Sequence, residues 1–166
     1  MGKEPYDSST EKAKLLKIED FGTPDEVKEA AKPVRSARDR QEATRILKEI
    51  TKKGLMTSRS GLVARLPGKS IGKMVSSEAV NASVSPELHF LAVANADKLF
   101  QNTIEPWKFE LNVQKNNDGL KERHYLFAPM VHQAGLVIVK FTVKEYINTY
   151  LANKMYSIEV MDIRLG

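Results

Sequence analysis

The sequence predicts an α+β fold in which N-terminal helices pack on a four-stranded antiparallel sheet, with a small hairpin before it. Apolar residues recur at helical spacing up to about Asn102 and alternate at period two after Pro106. Helices that precede a run of strands indicate two segregated layers. We expect a flexible or helical N-terminal extension over residues 1–35, then an α+β domain over residues 36–166.

Each predicted helix has a start signal and an apolar face. A capping box with proline in the first turn begins a helix over residues 23–32. A second helix opens at residues 36–39 and ends at Gly54. Ser85 caps the strongest helix, which we expect to run to about Asn102.

The strands follow from alternation and turn residues. A hairpin is predicted at residues 55–66, around Ser60-Gly61. The sheet strands are predicted at residues 107–113, 123–131, 136–146 and 156–160. The face of the third strand that points away from the core reads Ile138, Lys140, Thr142 and Lys144. In the last strand, Tyr156 is expected on the same face as Ile158 and Val160.

Composition excludes several classes of protein. The chain has no cysteine, so disulfides, a thiol nucleophile and a cysteine-based zinc site are excluded. It shows no 18-residue apolar run and no signal-peptide core, so we expect a soluble cytoplasmic protein without a membrane partner.

Residues 55–81 contribute +3 of the net charge of +5. Arg59, Arg65, Lys69 and Lys73 stand there against Glu78 alone. Such a patch is typical of a surface that faces a polyanion, and the alternative is a solvated basic surface with no partner.

Pro67-Gly68-Lys69-Ser70 resembles the end of a phosphate-binding loop of nucleotide hydrolases, but its spacing excludes that motif. The motif requires glycine five residues before its Gly-Lys, where this chain has Val63. A simpler role remains, in which Lys69, Lys73 and nearby backbone amides hold a phosphodiester, and the alternative is an ordinary surface turn.

The histidines are the candidates for acid/base chemistry. His89 falls on the apolar face of its helix, so it is either a core histidine bonded to a carbonyl or an imidazole that points into a cleft. His124 opens a strand beside Arg123, and two histidines permit the acid/base pair that RNA transesterification needs. Their scattered spacing predicts no metal and no cofactor.

Several further residues are candidates for contact with substrate. Asn95 lies at the edge of the same helix face and either orients a substrate or bonds the backbone. Lys140 and Thr142 are placed to contact phosphate from the open side of the sheet, unless that face is only solvated. Trp107 and Tyr125 either stack a base or belong to the core.

From about Leu47 onward the chain resembles a domain of large polyvalent phage and mobile-element proteins. That domain is assigned to the barnase–EndoU–colicin–RelE-like nuclease superfamily. The matching segments are Gly72–Ser76, His89–Phe100, His124–Pro129, Lys140–Tyr146 and Met155–Val160, in this order.

The resemblance implies helices packed on an antiparallel four-stranded sheet, with a metal-free RNA-cleaving site in its cleft. The function expected from it is a metal-independent endoribonuclease of the toxin or effector type. RNA is the expected partner, and an inhibitor or immunity protein is a second one by family analogy. The expected catalytic residues are His89, His124 and Lys73. The expected substrate-binding residues are Arg65, Lys69, Ser76, Asn95, Arg123, Lys140 and Thr142.

Two alternatives to the nuclease remain. One is a non-catalytic nucleic-acid-binding module of the same fold, favoured if His89 is buried, bonded to a carbonyl and distant from His124. The other is a phage or mobile-element adaptor domain whose basic patch has no ligand.

Overall fold

The computed structural model describes residues 9–108, 119–133, 135–148, 150 and 152–165. Its centre is a five-stranded mixed sheet with the strand order β1-β2-β5-β4-β3. The strands are β1 (Leu55–Thr57), β2 (Val63–Arg65), β3 (Leu120–His132), β4 (Gly135–Tyr146) and β5 (Lys154–Leu165).

The prediction of an α+β fold is confirmed, but the prediction of a four-stranded antiparallel sheet is wrong. Strands β3, β4 and β5 are antiparallel neighbours, whereas β2 runs parallel to β5, with Arg65 opposite Lys154. The predicted hairpin is present as β1 and β2, and this single parallel contact makes it the edge of the sheet. In the strand predicted over residues 107–113, Trp107 and Lys108 belong to no strand, and residues 109–113 lie outside the described residues.

Seven α-helices occur in the described residues. They are α1 (Ser9–Ala13), α2 (Pro24–Ala30), α3 (Arg40–Thr51), α4 (Ser70–Met74), α5 (Ser77–Ala82), α6 (Pro86–Ala94) and α7 (Ala96–Gln101). The predicted capping box is confirmed, because the Thr23 hydroxyl accepts from the Glu26 N–H and the Glu26 carboxylate accepts from the Thr23 N–H. None of these helices is long and apolar enough to cross a bilayer.

The strongest predicted helix is broken at Asn95 into α6 and α7. Asn95 has φ −119° and ψ 25°, outside the helical region, although its sequence neighbours favour helix. Its side-chain oxygen accepts from the Val34 and Arg35 N–H groups at 2.8 and 3.0 Å. Its amide nitrogen donates to the Arg35 and Leu91 carbonyls, both at 2.9 Å. The break therefore accompanies contacts with a segment 60 residues away, which helical periodicity does not reveal.

The two faces of the sheet carry two hydrophobic cores. Helices α3 to α7 cover the first face, where Leu126, Phe141 and Ile158 are among the buried strand residues. Residues 13–31 contribute Phe21 and other apolar side chains to the second core.

The second core shows that the face expected to be open is covered. Ile138, Lys140 and Thr142 are all buried there, at 0, 7 and 7% exposure. The few apolar side chains of residues 13–31 are enough to cover part of this face, although they follow no sustained period in the sequence. The domain boundary predicted between residues 35 and 36 stays a prediction, while side chains from both sides of it share this core.

Candidate nucleic-acid interface

A cationic cleft opens where β2, α4, β4 and β5 meet, and we call it the basic cleft. Its volume is about 510 Å³. Its cationic and aromatic lining residues are Arg65, Lys69, Lys73, Lys144, Lys154, Tyr146 and Tyr156. No aspartate or glutamate is among the described residues that line it. A concave surface with one sign of charge concentrates that field and attracts anions.

Backbone pairing brings the cleft residues together from distant parts of the sequence. Arg65 ends β2 opposite Lys154, the first residue of β5. At the start of α4, the Ser70 hydroxyl donates to the Met155 carbonyl at 3.0 Å. The turn that carries Lys69 between β2 and α4 is therefore held against the beginning of β5.

A β-bulge directs Tyr156 into the cleft. The β4–β5 register pairs Thr142 with Ser157 and Val143 with Met155, so Tyr156 is the extra residue between them. A bulge turns a side chain away from its regular alternation. Tyr156 therefore leaves the core face, where strict alternation would place it.

Two lysines hold the Tyr156 ring. The ring centroid lies 3.7 Å from Lys144 Nζ and 4.2 Å from Lys73 Nζ, which are cation–π distances. A hydrogen bond from Lys73 lowers the pKa of the Tyr156 phenol, with burial opposing it and the charges of Lys144 and Arg123 adding to it. These groups stabilise the phenolate more than water does around an ordinary tyrosine.

The structure unites three of the predicted site residues in this cleft, namely Arg65, Lys69 and Lys73. Sequence reasoning missed Lys154 and the two tyrosines as cleft residues, and named Lys144 only as part of an outer face. The sequence does indicate Lys144 as a candidate, because it continues the polar face of its strand after Lys140 and Thr142.

Two further predicted residues lie close to the cleft. The Ser76 hydroxyl caps α5 by accepting from the Ala79 N–H at 3.2 Å, and it donates to the Lys73 carbonyl at 2.8 Å. Arg123 stands opposite Lys144 in the β3–β4 ladder, and its charge contributes to the field at Tyr156.

His89 lies in the first core and is not part of the cleft. The side chain is fully buried. Its Nε2 lies 2.7 Å from the Met74 carbonyl, which only accepts, so this nitrogen carries the proton. Its Nδ1 then accepts from the Ser83 hydroxyl at 2.7 Å. Burial lowers the pKa of His89, which the bond to Met74 opposes, so the ring is held neutral.

His124 lies in a separate cluster at the start of β3. Its Nδ1 is 2.7 Å from a Glu105 carboxylate oxygen, and its Nε2 is 2.7 Å from Glu145 and 3.5 Å from Glu122. Burial opposes protonation of this ring. The bonds to Glu105 and Glu145 and the charges of Glu105 and Glu122 outweigh that effect and raise the pKa of His124.

Among the described residues, Glu105, Glu122 and His124 could also hold a metal ion, because their potential ligand atoms lie within 4.8 Å of one another. Both ring nitrogens of His124 lie at hydrogen-bond distance from a carboxylate oxygen. A nitrogen that donates a proton to a carboxylate has no lone pair for a metal ion. We therefore do not assign these residues as metal ligands.

Three predicted substrate contacts are engaged inside the protein. The amide of Asn95 makes two donor and two acceptor bonds to backbone, which is its full capacity. Lys140 Nζ lies 3.2 Å from the Ser9 hydroxyl and 3.7 Å from Glu159, beneath α1. Thr142 is buried on the same face. None of the three is among the described residues lining the basic cleft.

The fold and the cleft define an α+β domain with a strongly cationic concave surface. The family model for large polyvalent protein-associated domain 3 matches residues 35–156, and the chain belongs to this family. The matched residues include all the described residues that line the basic cleft, whereas α1 and α2 precede them. No curated protein and no solved structure matches the chain. The resemblance to nucleases stays a prediction.

Proposed function

We propose that the basic cleft binds the phosphodiester backbone of a nucleic acid, with RNA as the ligand to test first. The observation that carries this proposal is the convergence of five cationic side chains on one concave surface without an acidic lining residue among those described. Lysine and arginine contacts to phosphate supply most of the sequence-independent affinity for nucleic acids. They position the strand without reading its sequence.

The cleft also contains aromatic rings, although Tyr156 is already engaged by two lysines. Lys73 and Lys144 place two ammonium groups beside its ring, and ammonium groups donate hydrogen bonds to phosphate oxygens. This set suits a phosphate oxygen better than a stacked base, because the ring face is occupied by Lys144. The proposal is therefore one of backbone binding with little sequence preference.

The experiment compares two matched double variants. Lys69→Ala/Lys154→Ala removes two charges from the cleft, and Lys28→Ala/Lys48→Ala removes two exposed charges from α2 and α3. Binding of a fluorescein-labelled poly(U) 20-mer is measured by anisotropy in EDTA at low salt. The cleft variant is expected to lose at least about tenfold in affinity, whereas the control variant keeps most of it. Equal losses in both variants would contradict a localised site.

Metal-independent cleavage of RNA at the same cleft is a second candidate function. Tyr156, with its lowered pKa and its two flanking lysines, favours it. A phenolate would take the proton from a ribose 2′-hydroxyl, whose oxygen attacks the adjacent phosphorus, while Lys73 stabilises the added negative charge. The 5′-oxygen leaves with a proton from water, the phenol returns the 2′-hydroxyl proton to solvent, and the products end in a 2′,3′-cyclic phosphate and a 5′-hydroxyl.

This assignment differs from the prediction that His89 and His124 are the acid/base pair. Each of those rings has both nitrogens bonded within the protein. Tyr156 is therefore the preferred acid/base candidate. An inhibitor or immunity protein is an expected partner only if cleavage occurs.

Cleavage is tested with total RNA in EDTA. If the candidate function holds, the wild type yields cyclic-phosphate ends, and Tyr156→Phe binds poly(U) but leaves the RNA intact. Intact RNA with the wild type refutes cleavage and leaves a binding module. Absence of poly(U) binding at low salt refutes both functions and favours the adaptor alternative.

A further inference from the structure

His124 is surrounded by carboxylates from three segments, and its side chain is only 5% exposed. Glu105 follows α7, Glu122 lies on β3, and Glu145 lies near the end of β4. Two lysines stand behind the carboxylates. Lys108 Nζ is 3.4 Å from Glu105, and Lys121 Nζ is 3.4 Å from Glu145.

The geometry favours two protons on this ring. A neutral imidazole has one N–H, so one of its nitrogens would direct a lone pair at a carboxylate oxygen 2.7 Å away. Only the doubly protonated ring can donate to Glu105 and to Glu145 at once. The imidazolium and the two lysines together balance the charges of the three glutamates.

The cluster is connected to the basic cleft through β4. Successive residues of a strand point to opposite faces of the sheet. Glu145 bonds His124, while its two neighbours, Lys144 and Tyr146, line the basic cleft. The bond from His124 to Glu145 therefore anchors, from the opposite face, the end of the strand that carries two cleft residues.

We propose that His124 is a positioning residue for the basic cleft, whose imidazolium holds Glu145 so that Lys144 and Tyr146 are placed to bind a polyanion. This inference rests on the proposed function. Loss of a ring proton breaks one of the two short bonds and loosens the end of β4. Polyanion affinity then decreases, although Lys144 itself remains charged.

The pH profile of binding tests this role. Poly(U) affinity is measured from pH 5.5 to 9 in a Tyr156→Phe background, so that ionisation of the phenol does not contribute. We expect affinity in this parent to fall by about tenfold towards alkaline pH, as one charge-assisted bond is lost. Adding His124→Gln should give a weaker and pH-independent affinity, because glutamine cannot carry the second proton.

His132→Gln is the matched control, since it removes another β3 histidine that lies outside the glutamate cluster. It should leave the parent profile unchanged. The proposal is overturned if the parent affinity is constant over the pH range. It is also overturned if His124→Gln retains the parent profile.

Nuclear magnetic resonance supplies a readout that does not depend on binding. At pH 7 the ring should show protons on both nitrogens, and the backbone amide signals of Lys144 and Tyr146 should shift at the pH at which His124 titrates. If poly(U) binds at no pH, the proposed function fails, and these signals alone decide the positioning role. A singly protonated ring at pH 7, or amide signals that ignore the titration, would overturn it.

Discussion

Replacing Asn95 by alanine tests whether this residue is structural. The substitution removes four hydrogen bonds of 2.8–3.0 Å to the backbone of residues 34, 35 and 91. Each bond contributes about 0.5–1.5 kcal/mol net, and water can replace part of the loss on the side of exposed Val34, although Asn95 itself is buried. We therefore expect the free energy of unfolding to fall by about 2–4 kcal/mol.

The assay is urea unfolding followed by circular dichroism, with Asn102→Ala as the control. Asn102 donates one bond, to the Ala30 carbonyl at 3.0 Å, so its loss should cost about 1 kcal/mol. Folded Asn95→Ala protein should bind poly(U) as the wild type does. A cost for Asn95→Ala no larger than that of the control, together with weakened poly(U) binding, would refute the structural role and support the predicted contact with substrate.

The remaining predictions concern pH and the second core. The pKa of His124 is raised above its ordinary 6.5, so its stabilisation is complete below that pH and is lost as pH rises through the folded value. The pKa of His89 is lowered, so its stabilisation is present above pH 6.5 and is lost as pH falls towards the folded value. The measurement is the free energy of unfolding in urea from pH 5 to 9. Its decrease at alkaline pH should disappear in His124→Gln, and its decrease at acid pH should become smaller in His89→Gln. Unchanged profiles would contradict these assignments. Deletion of residues 1–22 removes buried Leu16 and Phe21, so the free energy of unfolding should fall by about 3–6 kcal/mol. The shortened protein should also bind a hydrophobic dye through the apolar surface that it exposes. An unchanged unfolding midpoint would contradict the second core.

Local signals in the sequence were sufficient for most of the helices and strands. The capping box at Thr23 and the apolar stripe of α3 depend on residues within a few positions of one another. The inward face of β4 likewise follows from strict alternation. Such short-range patterns specify where an element forms and which face it buries.

The differences arise where contacts are long-range. Asn95 breaks its helix where it bonds residues 34 and 35, and Lys140 is buried beneath a segment that precedes the matched family region. The extra residue in β5 depends on pairing with β4, which alternation within β5 cannot reveal. Tyr156 was therefore expected on the core face, and it lies in the basic cleft.

The candidate site was predictable in part for the same reason. Arg65, Lys69 and Lys73 are close in sequence, so a local charge excess reveals them. Lys144 and Lys154 join them only through the β2–β5 and β4–β5 pairings. Residue type alone predicts acid/base roles for His89 and His124. Their burial and their hydrogen-bond partners within the protein depend on the folded chain.

The salt dependence of poly(U) binding tests the central claim most directly. If all five cations of the basic cleft contact phosphates of a single strand, the logarithm of the binding constant should fall with the logarithm of salt concentration at a slope of about −3.5. Lys69→Ala/Lys154→Ala should reduce the steepness by about 1.4. A slope near zero in the wild type, or a slope that the double variant leaves unchanged, would contradict nucleic-acid binding by this cleft.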